Sequence, residues 1–545
     1  MSHSVFNFLW IISIALFLIS CSREESFLLE EDPNLFVDDS TSVPLTVVAY
    51  NVENLFDIDG QAIFNDYKPQ TVDRPNGYTA TKFLTKLENI SYILSTINKG
   101  EGPEIILFQE LEADQTPEGW HGDLRRFLYE NPEVTVRDML TSNRSAQFKQ
   151  VPAEAWLWRI LFEAGLGEYF VAVGDSYPDP LGYSFPHVNA TFSKFPITNS
   201  ITHKTAGGRG ILEVKIEIGE IPLIIFNNHW KAGASSEESE LIRTGNARVL
   251  RSRIDELLAE DSYYDFIIGG DLNSHYNQTN LFPSMKRTGI NDVLKSKGNE
   301  IGLISDPEID LYNLWFELPF DQRYSEIFKG HHSTLMHLII PQGLYDYKGI
   351  QYIDNSFKVL SLPGVNTDKI TGIPIRWNNQ KNGYGFSDHL PILAKFKTIP
   401  FTVQKRKVFL DNPSYEPTPP SRPVKLDYAH MNLAMAQSTN KIPMHTPLQS
   451  SYFYNKVLLV DSIVVSTKPF QIKVHNETFT IWSPNKKLLN KITSTYIKDD
   501  SLYFYGQLNQ HKGKWQFVIQ HPTWLDPGLF LQSNSKGKKQ TAEHN

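Results

Sequence analysis

The sequence predicts an α/β protein carrying a small β-rich module at its carboxyl end, and three observations lead there. From Leu45 to about Lys397, short apolar runs of strand length alternate with two amphipathic helical stretches. Beyond a cluster of prolines, strand-like runs dominate. Charge divides the same way: residues 401–545 hold 18 Lys/Arg against 9 Asp/Glu, while residues 1–400 hold 34 against 52. An acidic body with a basic tail module follows. With 545 residues, 41% hydrophobic and 21% charged, the chain is neither fibrous nor mostly disordered. A net charge of -9 excludes a protein that coats nucleic acid uniformly, and the single cysteine, Cys21, excludes an intrachain disulfide or a cysteine-based zinc site.

The amino end reads as an address. Residues 1–20 carry no charged side chain, and Phe8 to Ile19 is almost wholly apolar. At about twelve residues this run is too short to span a bilayer but suits a signal-peptide core. It ends in Leu18-Ile19-Ser20-Cys21, which resembles the bacterial lipobox, although no Lys or Arg precedes it. That resemblance implies cleavage before Cys21, acyl chains on its thiol and a lipid-anchored protein of the bacterial cell envelope, outside the cytoplasm. Residues 21–43 then form a polar tether.

Residues 44–400 make the main unit. Strands are expected at Leu45–Tyr50, Glu104–Gln109, Ile211–Ile218, Pro222–Asn227, Asp265–Gly269 and Leu390–Phe396. One helix carries Phe83, Leu87, Ile90, Leu94 and Ile97 as a single stripe; another runs from about Glu237 to Ala259 with Leu250, Ile254, Leu257 and Leu258 inward. Pro413, Pro417, Pro419, Pro420 and Pro423 mark a stiff linker, assigned to residues 401–454. Residues 455–530 follow as a β-module with strands at Lys456–Ser466, Phe470–Val474, Thr478–Trp482, Ser501–Leu508 and Lys514–Gln520. Residues 531–545 form a lysine-rich, disordered tail.

Polar residues recur at the strand ends. Asn51-Val52-Glu53-Asn54 follows the first strand, Glu110 the second, and Asn227-Asn228-His229-Trp230 the fourth. Gly269-Gly270-Asp271-Leu272-Asn273 follows the fifth, and Ser387-Asp388-His389 precedes the last. Taken singly, each piece has a plain structural explanation: a solvated loop carboxylate, a turn, a structural histidine, a cap. Their joint order is what carries information.

That order resembles the endonuclease/exonuclease/phosphatase family. The motifs are Tyr50-Asn51-Val52-Glu53, Phe108-Gln109-Glu110, Asn227-Asn228-His229, Gly270-Asp271-Leu272-Asn273 and Ser387-Asp388-His389, with Ser193-Lys194-Phe195-Pro196-Ile197 as a sixth, weaker piece. The resemblance covers about Val43 to Lys397. It implies a four-layer α/β sandwich, two packed β-sheets flanked by helices, and a divalent-metal-dependent phosphoesterase. Hard oxygen ligands select Mg²⁺, Mn²⁺ or Ca²⁺. Glu110 is the expected direct ligand, with Asn51 and Asp388 supporting it and Glu53 beside the ion. His389 acts as or orients the general base, and His229 binds the phosphate and protonates the leaving oxygen. Asp271 polarises the nucleophile, and Asn273 hydrogen-bonds the phosphoryl group.

One position departs from the family. An Asp that holds the final histidine is expected in the strand Thr334-Leu335-Met336-His337-Leu338-Ile339, and Met336 stands in its place. A thioether cannot orient an imidazole as a carboxylate does. Asp306, Asp310 and Asp321 are the substitutes nearest in sequence.

In the β-module, Tyr505 to Leu508 with Lys512 to Ile519 resembles the last strands of an OB-fold. Lys512, Lys514, Trp515, Tyr503 and Tyr505 supply the basic and aromatic mix that tracks a polyanion, or else an ordinary solvated surface. The leading expectation is a monomeric nuclease of the endonuclease type acting on DNA or RNA. A phospholipid or sphingomyelin-type phosphodiesterase and a degenerate, non-catalytic binding protein are the alternatives.

Overall fold

A computed structural model describes residues 42–525 apart from 143–144, 179–181, 206–208, 299–301, 304–309, 347 and 400–419. The leader, Cys21, most of the tether, Asp306, the first part of the linker and the tail therefore lie outside the described residues. Among the described residues, no helix is long and apolar enough to cross a membrane.

In chain order the main unit places β1 (Pro44–Leu55), β2 (Ile105–Glu112), β3 (Phe170–Val173) and β4 (His187–Ser193), then β5 (Ile197–His203), β6 (Ile211–Ile218), β7 (Ile221–His229), β8 (Phe266–Asp271) and β9 (Leu311–Asn313). A small hairpin, β10 (Glu326–Phe328) and β11 (His331–Ser333), precedes β12 (Met336–Pro341), and β13 (Gly349–Tyr352), β14 (Lys358–Val359) and β15 (Ile392–Ile399) complete it. One sheet has the order β13-β15-β1-β2-β4-β3 with β14 beside β15; the other has β5-β6-β7-β8-β12-β9. Only β1/β2 and β7/β8 pair in parallel within these two sheets.

Strand alternation builds the layers. Leu45, Val47 and Ala49 face one way and join Val214, Ile225, Ile267 and Leu338 in a core between the sheets. Val48, Tyr50 and Val52 face the other way, against α1 (Ala80–Ser95) and, after α2 (Leu124–Glu130) and α3 (Val136–Thr141), α4 (Ala153–Glu163). Helix α5 (Glu237–Glu260) covers the outer face of the second sheet through Leu250, Ile254 and Leu257. Helix, sheet, sheet, helix is the four-layer sandwich expected. The predicted stripe of α1 is buried from Phe83 to Ile97, and Thr79 caps the helix by accepting from Lys82 N.

The carboxyl-terminal module is a closed barrel. Its strands are β16 (Gln437–Ser438), β17 (Val457–Thr467), β18 (Phe470–Val474), β19 (Glu477–Trp482), β20 (Ser501–His511) and β21 (Lys514–Val518), with α6 (Lys486–Thr495) between β19 and β20. The order β17-β18-β19-β21-β20 closes where β20 pairs with β17, and β19/β21 is parallel. Five strands thus close on themselves, as they do in the barrel of an OB-fold.

Two expectations about this end need correction. Residues 420–454 are not a free linker. Pro420 O accepts from Asn277 Nδ2 at 2.8 Å, and Val424 O accepts from His332 N at 2.9 Å. Ile442, Leu448, Phe453 and Tyr454 are buried with the barrel residues. Proline density suggested stiffness, but these apolar side chains make the segment part of the core. Trp515, placed by either reading on the module's surface, to stack bases or simply to be solvated, is instead 7% exposed and sits against Tyr384 and Tyr454, with ring centroids 6.2 and 6.1 Å away. It docks the barrel onto the main unit. Lys512 and Lys514 are exposed, and Tyr503 and Tyr505 are half-buried.

Candidate active site

The two parallel strand pairs bring the motifs together. Registry sets Asn51 beside Gln109 and His229 beside Asp271, so the carboxyl ends of β1, β2, β7 and β8 open at one edge. Gln109 Nε2 donates to Asn227 Oδ1 at 2.7 Å, and Asn227 Nδ2 donates to Ala190 O at 3.0 Å, which ties one sheet to the other beneath the site. Gly270 is required here: its φ is +113°, and a Cβ would stand 2.2 Å from Asn228 O.

Both ligand-bearing strands are bulged. Pairing of β1 with β2 shifts between Asn51 and Leu55, and pairing of β2 with β4 shifts between Phe108 and Leu111. Glu53, Asn54 and Glu110 take left-handed backbone at these points (φ +52°, +66° and +66°). Such irregularities re-aim side chains out of the ladder, and here they turn acids into the cleft.

The fully buried Asn51 is the hub. Its Nδ2 donates to Glu110 Oε1 at 3.1 Å and Asp271 Oδ2 at 3.0 Å. His229 Nε2 lies 3.7 Å from each of those oxygens. His389 Nε2 lies 3.7 Å from Asp271 Oδ2 and 3.9 Å from Asp388 Oδ1. Asn273 N donates to Asp271 Oδ1 at 2.9 Å, while one amide proton of its side chain goes to Trp230 O at 3.1 Å. Seven of the eight predicted residues thus meet in one cluster.

Glu53 is near but otherwise employed. Its Oε1 accepts from Arg376 Nε at 3.0 Å and Nη2 at 2.5 Å; its Oε2 accepts from Trp377 N and Asp388 N, both at 2.8 Å. A carboxylate has about four lone-pair sites, and all are filled. The assignment of Glu53 to the metal is corrected: it clamps the loop that presents Asp388. Lys86, buried over the Trp377 ring, reinforces the clamp by donating to Glu53 O at 2.8 Å and Phe386 O at 3.1 Å.

The two imidazoles are driven apart electrostatically. Burial, with Arg209, His187 and His389 nearby, holds His229 well below the usual histidine value, so it is neutral. Burial also works against a charged His389, but Asp271, Asp388, Glu326 and Glu110 overcome it and push it up to about 9. Burial raises Glu110 and Asp271 above the ordinary carboxylate range. A lowered His229 suits the expected hydrogen bond to phosphate better than the expected proton donation to the leaving oxygen.

The expected Asp partner of His389 is missing, as its sequence position suggested. Met336 pairs with Asp271 across β12 and β8 and is fully buried, and His389 Nδ1 is buried with no partner. The proposed substitutes are elsewhere: Asp310 pairs with Arg251 and Lys295, and Asp321 lies in an exposed turn near His332. Asp271 and Asp388 act on His389 most strongly, and Glu326, which no motif includes, adds to them. Ser325 O accepts from Leu390 N at 2.6 Å, seating β10 beside His389. Arg209 was missed too; its buried Nε has no partner, and it acts on both Glu110 and Asp271. A glycine-flanked arginine in a loop gives no periodic signal, and β10 has only three residues.

Asn51, expected to ligate the ion, instead turns its Nδ2 to Glu110 and Asp271 while its Oδ1 accepts from Glu53 N at 3.0 Å, so the oxygens open to a divalent ion are those of Glu110 and Asp388. Glu110 and Asp388 keep lone pairs that no donor takes up, and the donor set is hard oxygen. The model of the endonuclease/exonuclease/phosphatase family matches residues 46–119 and 186–398, more than half of the chain. The chain belongs to this family. Members of the family hydrolyse phosphoester bonds, generally with a divalent metal. The unmatched stretch between the two segments holds α2, α3, α4 and β3.

Solved structures similar to this family member include TDP2 from Caenorhabditis elegans, 14% identical over 65% of this chain and 75% of that one (TM-score 0.33). Beta toxin from Staphylococcus aureus is 15% identical over 64% and 99% (TM-score 0.33). A Bacteroides thetaiotaomicron family protein is 13% identical over 66% and 98% (TM-score 0.32). No curated protein matches the chain.

Proposed function

We propose that this protein is a divalent-metal-dependent phosphodiesterase acting on nucleic acid as an endonuclease, held outside the bacterial cytoplasm by lipid on Cys21. The convergence of Glu110, His229, Asp271, Asp388 and His389 around Asn51 carries the proposal. Nucleic acid is favoured by the cleft of about 770 Å³ running from Glu53, whose walls include the exposed ring of Phe64 with Arg74 and Arg376. A flat exposed ring accepts a base, and guanidinium groups accept the backbone beside it.

An ion held by Glu110 and Asp388, with Asn51 fixing Glu110, would offset charge on the phosphoryl oxygens and the leaving group; oxygen ligands suit Mg²⁺ or Mn²⁺. The protein's own groups do the rest. His229 donates a hydrogen bond from Nε2 to a phosphoryl oxygen, and Arg209 supplies fixed positive charge beside it. Asp271 orients water, and the neutral form of His389, which grows as pH rises towards 9, accepts at Nε2 the proton that water loses. Asn273 offers its free amide proton to the phosphate. The reaction needs no covalent enzyme intermediate. The protein acts as a monomer.

The test is plasmid nicking beside head-group release from phosphatidylcholine and sphingomyelin vesicles, each with Mg²⁺, Mn²⁺ or EDTA. Nicking that needs metal and is lost in His229→Ala supports the proposal. Head-group release without nicking transfers the substrate to lipids. Incorporation of radiolabelled fatty acid into the wild type but not Cys21→Ser tests the anchor.

A further inference from the structure

A second group of acids lies just beyond the catalytic cluster, and the mechanism does not use it. Asp57 and Asp59 follow the end of β1, and Glu112 is the last residue of β2. Each offers an oxygen within 4.8 Å of the others. Asp57 and Glu112 are 4% and 2% exposed. Glu112 Oε2 accepts from Asp57 N at 2.8 Å, but Glu112 Oε1 is buried with no donor among the described residues. A buried carboxylate oxygen without a proton donor is costly unless a cation meets it. Among the described residues no basic side chain does. The charged neighbours that act on Glu112 are Asp59, Asp114 and Glu154, and those on Asp57 are Glu112 and Asp59, all acidic.

We propose that Asp57, Asp59 and Glu112 bind a second, structural cation of the Ca²⁺ class, separate from the catalytic ion. Ca²⁺ suits an all-oxygen set with loose geometry, bound at about 2.3–2.6 Å, where Mg²⁺ demands a near-ideal octahedron. The location gives it a purpose. Pairing of β1 with β2 breaks between Asn51 and Leu55, and Glu110 departs from regular strand geometry two residues before Glu112. An ion bridging Asp57 and Asp59 to Glu112 rejoins the two strand ends that present Asn51 and Glu110. The proposal does not depend on what the catalytic cleft hydrolyses.

The experiment uses full-length protein stripped with EDTA, titrated with Ca²⁺ by calorimetry and followed by thermal unfolding. Wild type should bind Ca²⁺ and gain several degrees in Tm. Glu112→Gln and Asp57→Asn should lower Ca²⁺ affinity by roughly tenfold or more and abolish the gain. In EDTA they should melt no lower than wild type, because each removes repulsion among buried acids. Glu110→Gln should keep the Ca²⁺-dependent gain. Should a buried variant fail to fold, the half-buried Asp59→Asn takes its place. The proposal is overturned if wild type shows no Ca²⁺-dependent gain, if the Asp57, Asp59 and Glu112 variants keep it, or if Glu110→Gln alone removes it.

Discussion

Replacing Glu53 by Gln probes the clamp directly. The carboxylate accepts four hydrogen bonds, two from Arg376 and one each from Trp377 N and Asp388 N. An amide keeps one accepting oxygen and must aim its NH₂ at donors. The buried backbone pair keeps the oxygen, and the guanidinium loses its partner. Two bonds to a charged acceptor at about 1.5–3 kcal/mol each would total ~3–6 kcal/mol. The Arg376 side chain is 54% exposed, however, so water recovers part of that. The expected cost is about 2–3 kcal/mol by urea unfolding. A double-mutant cycle with Arg376→Ala should show coupling above ~1 kcal/mol. Mn²⁺ affinity should fall by roughly 10–100-fold in Glu53→Gln and further still in Glu110→Gln. Additive effects within ~0.5 kcal/mol, or an equal loss of Mn²⁺ affinity in both variants, would refute the clamp.

Glu326→Gln removes negative charge beside His389, so the His389 pKa falls and the ionisation it gives the pH–rate profile moves to lower pH; an unmoved profile rejects Glu326 as its partner. Met336→Asp puts a carboxylate on the same strand face as Asp271, where it can reach the unpartnered His389 Nδ1. Turnover should rise by roughly tenfold or more, and a flat or lower rate counts against this strand as the seat of the missing partner. Burial and neighbouring acids push Glu112 up to about 8. The folded state then binds its proton more tightly than the unfolded state does, so in chelator stability should fall as pH rises from about 4.5 towards 8. Thermal melts of Glu112→Gln should show a flatter pH dependence. Trp515→Ala should cost about 3–5 kcal/mol and loosen the barrel from Tyr384, read as faster proteolysis between the two units.

Regular elements were legible because they repeat. The stripe from Phe83 to Ile97 and the alternation in β1, β6 and β18 gave their elements within a few residues, and strand ends in order gave the catalytic cluster. What escaped was non-periodic or depended on distant partners. Glu53 sits in a motif with metal ligands, yet its four hydrogen bonds come largely from a loop more than 300 residues away. Arg209 and Glu326 stand in a loop and a three-residue strand, where no pattern separates a site residue from a surface one. Trp515 beside lysines read as a nucleic-acid surface because sequence cannot show Tyr384 stacked on it. Residues 420–454 looked like spacer because prolines outweighed a few scattered apolar side chains.

The most direct measurement is the rate of hydrolysis of an activated phosphodiester, bis(p-nitrophenyl) phosphate, by wild type and by Glu110→Gln, His229→Ala and Asp271→Asn across Mg²⁺ and Mn²⁺ concentrations. The geometry predicts saturable, metal-dependent turnover in wild type that is abolished by EDTA and reduced by roughly a hundredfold or more in each variant. Metal-independent hydrolysis, or variants that match wild type, would contradict it.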